Sequence, residues 1–251
     1  MIDETINSET IDKRISIVTG HFGSGKTEFA VNYALDFAKH IDRELENSHY
    51  KKVALIDLDI ANPYFRSREK QAFLESKGIE VLSNTFGYDI NLDLPAISAR
   101  INGPLQDKSC RVIMDVGGDR SGARVLTQFK SQFINEEYDL FCLINANRSE
   151  TASLEGAAYH ISAIEKEVGL KITGIINNTH LLKETKIADI IKGVKLCREL
   201  SFKYSIPVKY HCCIKKFDIQ LKRYLSQNKD AKFSESVFVI DIMMRTSWLD
   251  K

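Results

Sequence analysis

The chain has 251 residues, 43% hydrophobic and 27% charged, which suits one large globular domain whose core needs no covalent staples. Its 35 Lys and Arg balance 34 Asp and Glu, a net charge of +1, so no bulk field demands a nucleic acid or a membrane surface as partner. Five cysteines without a C-x-x-C pair, and no apolar run long enough for a membrane span, set the expectation of a reduced, cytoplasmic protein.

Residues 1–12 are polar and acidic and read as a flexible tail, leaving 13–251 as a single domain. The first apolar run, ISIVTG at 15–20, predicts a strand. After it Phe29, Ala30, Tyr33, Ala34, Phe37, Ala38 and Ile41 recur at three- and four-residue spacing, one face of a helix. Between the two, GHFGSGKTEF at 20–29 fits G-x-x-x-x-G-K-[ST] through Gly20, Gly25, Lys26 and Thr27. A strand before and a helix after are the context this loop needs to hold phosphate. Backbone N–H groups along Gly20, Phe22, Gly23, Ser24 and Gly25 turn toward phosphate oxygens, and the helix start at Glu28 adds its dipole. Lys26 reaches the β and γ oxygens, and the Thr27 hydroxyl ligates Mg²⁺.

KVALIDLD at 52–59 predicts the second strand and ends on Asp57 and Asp59. Carboxylates two apart point to opposite sides of an extended chain, so they share a site only if the strand has ended. One then belongs in the metal shell, Asp57, and the other, Asp59, positions the attacking water. NPYFRSRE at 62–69 carries Arg66 and Arg68 toward the γ-phosphate side, where Arg66 is a candidate to neutralise transition-state charge. IEVLS at 79–83 and CRVIMDVG at 110–117 are further strands. The latter places Asp115 as a metal carboxylate, with Gly118 three residues on, where a bare backbone N–H can sense the γ-phosphate.

YDLFCLINA at 138–146, ITGIIN at 172–177 and IPVKYHC at 206–212 complete seven expected strands. They alternate with helix faces at Leu154, Ala157, Ile161, Ile164 and Val168 and at Ile187, Ile190, Val194, Cys197 and Leu200. Alternation of this kind predicts a doubly wound α/β fold with a mostly parallel sheet, and its ligand site lies beyond the carboxyl ends of the strands.

The phosphate loop, LIDLD, DVGGD and GIINNT at 174–179, in this order, resemble the MinD/ParA-type ATPases of the SIMIBI class of P-loop proteins. The likeness covers about residues 13–213. It implies a three-layer fold, Asp57 or Asp59 in switch I, Gly117 and Gly118 in switch II, ATP as the nucleotide, and Asn177 at the adenine ring with Asn178 able to share the contact. SIPVKYH, through Pro207, resembles the family's second base-flanking segment. One departure is His21, which stands where most of these relatives carry a second lysine that acts across a dimer. GSGKT is also close to the loop of the nickel-insertion GTPases of the same class. Their N-K-x-D guanine motif is missing from NNTH, which favours adenine.

The resemblance implies an Mg²⁺-dependent ATPase, slow alone, that switches its grip on an unidentified protein partner and can form a homodimer. A small-molecule kinase or ligase of the dethiobiotin synthetase type, or a metal-insertion NTPase, is the alternative. His211, Cys212 and Cys213 include good soft-metal ligands, but adjacent cysteines on a strand face opposite ways, which makes buried structural thiols the expectation. The end of the chain, FVIDIMMRTSWLDK, does not confine its apolar residues to one face and is a poor membrane anchor.

Overall fold

The computed structural model describes residues 13–43, 49–59, 70–83, 94–134, 137–229 and 235–244. Eight strands, β1 Ile15–Gly20, β2 Lys52–Asp57, β3 Ile79–Ser83, β4 Cys110–Asp115, β5 Tyr138–Ile144, β6 Gly174–Asn177, β7 Val208–Cys213 and β8 Ser236–Val239, form one sheet in the order β3-β2-β4-β1-β5-β6-β7-β8. Every pair is parallel. The helices are α1 Lys26–Arg43, α2 Gln71–Glu75, α3 Leu94–Gln106, α4 Arg120–Ala123, α5 Lys130–Ile134, α6 Leu154–Val168, α7 Ile187–Tyr204 and α8 Asp218–Gln227.

Alternation along single strands fills both faces of the sheet. Ile15, Ile17, Ala54, Ile56, Val112 and Met114 pack with Ala157, Ile161, Ile164 and Cys197 of α6 and α7. Val18, Val53, Leu55 and Ile113 turn the other way, onto Phe29, Tyr33 and Ala34 of α1. Burial on both faces is why these strands read as continuous apolar runs, since a parallel sheet is covered by its own crossover helices. The sequence anticipates seven of the eight strands. β8 is the addition, four residues that become a strand by pairing with β7 from Tyr210↔Ser236 to Cys213↔Val239.

The periodic faces fall where expected: Phe29, Ala30, Tyr33, Ala34 and Ala38 on α1, and Ile190, Val194, Cys197 and Leu200 on α7, are buried. Ser153 caps α6 by accepting from the Gly156 N–H at 3.1 Å, and Gly169 ends it in the left-handed region at φ 66°. Because all strands run the same way, the β1, β2, β4, β5, β6 and β7 tips meet at one end of the sheet. Among the described residues, every motif singled out in the sequence except Pro207 lies there. The segment 62–69, with Arg66 and Arg68, falls outside the described residues, as do residues 1–12 and 245–251.

Candidate functional site

β1 delivers the loop His21–Gly25 to the start of α1. Gly25 is forced to φ 84°, and a Cβ there would lie 2.4 Å from the Asn178 amide nitrogen, so only glycine fits between the loop and the tip of β6. Asn178 uses the close approach to donate to the Ser24 carbonyl at 2.7 Å. Asn145 and Arg148, after β5, both donate to the Gly23 carbonyl, at 3.3 and 3.2 Å. The loop is thus fastened through its carbonyls, with the Ser24 N–H donating to the His21 carbonyl at 2.9 Å, and its Gly25 and Lys26 N–H groups lie at the helix start where an anion is held.

Lys26 and Thr27, in the first turn of α1, are buried. The Lys26 ammonium lies 3.5 Å from the Asp59 carboxylate, and both side chains are 5% exposed. β2 ends at Asp57, and the Asp59 N–H turns back to donate to the Asp57 carboxylate at 3.1 Å. The strand has therefore ended between the two acids, and both serve the same end of the sheet. Asp115 is the β4 partner of Asp57 across the ladder and is fully buried. Among the described residues neither of its oxygens has a well-formed hydrogen-bond partner. Burial, then the neighbouring Asp57 charge, holds its carboxyl well above the usual range, while Lys26 and the Thr27 hydroxyl act the other way.

A partnerless buried carboxyl beside two more acids and a hydroxyl is expensive unless a cation completes it. Among the described residues no three His, Cys, Asp or Glu side chains form a self-sufficient metal cage. Mg²⁺ needs none, because it takes one or two carboxylates and leaves its other positions to phosphates and water. Thr27, Asp57 and Asp115 fit it.

Gly118 follows β4, and a Cβ there would fall 1.8 Å from the Gly20 carbonyl oxygen, so the loop after Asp115 rests directly on the phosphate loop. His21 is 3.8 Å from a Glu150 carboxylate oxygen and packs edge-on against His160, whose imidazole burial pushes down to about 4.

Beside the loop opens a cavity of about 210 Å³. Gly23, Gly25, Lys26, Thr27 and Glu28 line it from the loop and the first turn of α1, Asn178, Thr179 and His180 follow β6, and Cys212, Cys213 and Ile214 close β7. Two expected base contacts lie elsewhere. Asn177 is fully buried outside the cavity: its amide donates to the Ile190 carbonyl and His211 Nδ1, both at 3.2 Å, and accepts from the Thr179 hydroxyl at 2.7 Å. Strand alternation turns its side chain into the sheet, so Asn178 is the member of the pair that reaches the cavity. Pro207 precedes β7, and its carbonyl accepts from the Ile175 N–H at 2.8 Å. Six residues of strand put it roughly 20 Å from the β7 tip, at the wrong end of a parallel strand to touch a ligand.

Asn145 and Arg148 carry no expected role, and the stretch 240–244, considered only within FVIDIMMRTSWLDK as a poor membrane anchor, lines the cavity through Ile240, Ile242 and Met244. A polar pair directly after the β5 apolar run was the signal for the first two. Cys212 packs on the α1 side and Cys213 toward α7 and α8, opposite faces as alternation demands, and burial raises both thiols above their ordinary value.

No known protein family matches the sequence, and no curated protein does. Solved structures share the fold. Cell division protein FtsY of Thermotoga maritima has a TM-score of 0.50 at 22% identity, over 78% of this chain and 60% of that one. Chloroplast FtsY of Physcomitrella patens gives 0.52 at 15% identity, over 79% and 58%, and FtsY of Mycoplasma mycoides 0.50 at 15%, over 80% and 59%. The chain spans about three fifths of the length of these proteins. Together with the adjacent β1 and β4, the likeness gives the chain the P-loop nucleoside triphosphatase fold. Among the described residues no helix is long and apolar enough to cross a membrane.

Proposed function

We propose that this chain binds the Mg²⁺ complex of a nucleoside triphosphate, hydrolyses its γ-phosphate, and uses the bound state to switch its grip on a protein partner. The observation that supports this most is the buried, partnerless Asp115 carboxyl between Asp57 and Thr27, next to Lys26 on a phosphate loop. A bound Mg²⁺ would neutralise charge on the β- and γ-phosphates. Lys26 leaves Asp59 to meet the same phosphates. Asp59, released from that pair, is placed to orient water in line with the γ-phosphorus, and Gly118 carries the change of state from the phosphate loop to the chain after β4.

Adenine is the proposed base. Leu181 stands at the position where a guanine-reading N-K-x-D motif starting at Asn178 would have its Asp. Guanine is the second reading, which Glu28 does not decide, because both its oxygens already accept from the Met243 and Met244 N–H groups. A MinD/ParA-like mode of action, with a cytoplasmic homodimer and Arg66 in place of the absent lysine, is the finer form of the proposal.

Phosphate release from ATP and from GTP, with and without Mg²⁺, tests it. Mg²⁺-dependent release with ATP preferred is expected. Binding of neither nucleotide refutes the proposal, and a clear GTP preference replaces the base assignment. Asp59→Asn should lower turnover far more than affinity, whereas Asp57→Asn and Asp115→Asn should also weaken the Mg²⁺ dependence.

A further inference from the structure

A carboxylate in the first turn of a helix ordinarily serves that helix, by accepting from its own free N–H groups. Glu28 does something else. It reaches out of α1 to accept from the backbone N–H of Met243 at 2.6 Å and of Met244 at 3.2 Å, a link across 215 residues of sequence. One turn further along α1, Asn32 accepts from the Asp241 N–H at 2.8 Å and donates to the Asp241 carbonyl at 2.9 Å. Side chains four apart share a helix face, so α1 presents one polar edge that grips the backbone of this segment.

The other side of the segment faces the cavity. Ile240 stays on the sheet through its N–H to the Cys213 carbonyl at 2.9 Å. Ile240, Ile242 and Met244 alternate along it, and all three line the cavity. Ile240 and Met244 are buried, while Ile242 is 48% exposed, an apolar side chain left uncovered beside the space. Opposite, Cys212, Cys213, Ile214 and Phe217 supply a second apolar surface, and the space runs without a break into Gly25, Lys26 and Thr27. Apolar walls with few polar groups, opening onto a phosphate-binding loop, suit a flat heteroaromatic ring carried on phosphates.

On the reading that phosphates sit on the loop, we infer that Ile240–Met244 is a wall of the nucleobase site and that Glu28 is the positioning residue that holds it there. Grip on the base then depends on the segment after β8, and grip on the phosphates does not. Burial raises the Glu28 carboxyl and the two N–H groups lower it, so the contact is made by a group that burial disfavours as an anion and that the segment itself stabilises.

The test compares the affinities of the full chain for Mg-ATP and for Mg-tripolyphosphate, which has the phosphates and no base, in wild type, Glu28→Ala, Glu28→Gln and Ile242→Ser. Ile242 is half exposed, so its variant keeps the fold, which circular dichroism verifies. Glu28→Ala and Ile242→Ser should each weaken ATP binding about tenfold and change tripolyphosphate binding less than about twofold. Glu28→Gln, which keeps an acceptor oxygen, should lose less than Glu28→Ala. Unchanged ATP affinity in Ile242→Ser, or a parallel loss of both ligands in the variants, overturns the inference while leaving phosphate binding intact. A wild type that binds neither ligand overturns the proposed function itself. If GTP and not ATP binds the wild type, the same ratio is read with GTP.

Discussion

The tips of β2 and β4 and the ends of β6 and β7 are both rich in buried polar groups, yet they differ in how those groups are satisfied. At β6 and β7 the buried amide and charges face partners of opposite kind. Asn177 has partners for both ends of its amide, His211 lies 3.3 Å from the Glu235 carboxylate, and Arg198 reaches the same carboxylate at 2.6 Å. At β2 and β4, among the described residues, the Lys26 ammonium pairs with Asp59 while neither oxygen of the buried Asp115 has a well-formed hydrogen bond. Both regions take charge out of water, but only the first returns the cost within the chain. A closed network holds a structure, whereas an open one stores unfavourable burial that an incoming cation relieves.

Substitutions that remove one charge from each region should separate the two cases. Lys26→Ala should have the largest effect, a loss of nucleotide affinity of about 100-fold or more by isothermal titration, because a charged donor to phosphate is removed. It also strands Asp59, and thermal unfolding should show a loss of roughly 3 kcal/mol. Glu235→Gln should cost about 2–3 kcal/mol at neutral pH with little effect on nucleotide. Burial alone would raise Glu235, but hydrogen bonds from Arg198 and His211 outweigh it and bring the carboxyl down to about 2. A folded value below the unfolded one gives stability that is present above pH 4.5 and lost as pH falls toward 2. The variant's acid unfolding curve should therefore be flatter over that window.

Asp115→Asn should go the other way, gaining about 1–3 kcal/mol in Mg²⁺-free buffer, where a carboxyl crowded by Asp57 is replaced by a neutral group. Its melting temperature should no longer respond to Mg²⁺ with nucleotide. A destabilised Asp115→Asn would place Asp115 among the satisfied groups and end the contrast. Asn178→Ala sharpens it least. It removes one hydrogen bond to Ser24, worth about 1 kcal/mol, and should weaken ATP binding about fivefold through a looser loop.

The phosphate half of the site was legible because its chemistry is local. Gly20 to Thr27 are contiguous, and Asp57 and Asp115 each end an apolar run, so spacing and period locate them. The base half was not, because three of its walls come from distant segments whose residues are ordinary in composition. Ile240, Ile242 and Met244 read as one more apolar stretch until Glu28 and Asn32 catch their backbone. Asn177 and Asn178 differ by a single strand position, and only the register of β6 decides which side chain faces the core. Pro207 failed for a simpler reason: its place in the order of motifs was right, but the direction of β7 carries it to the far end of the sheet.

The position of β1 in the sheet also governs when this site comes into being. Among the described residues β1 is the earliest strand, yet its neighbours are β4 and β5, with Ile15 opposite Val112 on one side and Tyr138 on the other. On a ribosome, the phosphate loop must wait for some hundred further residues before its flanking strand has any partner at all, and non-local pairings of this kind fold slowly. The bond from Glu28 to Met243 closes only after the segment following β8 has been made. If the inferred base wall is right, base capture waits for the segment after β8, and a nascent chain stopped before β8 should emerge unable to hold the base.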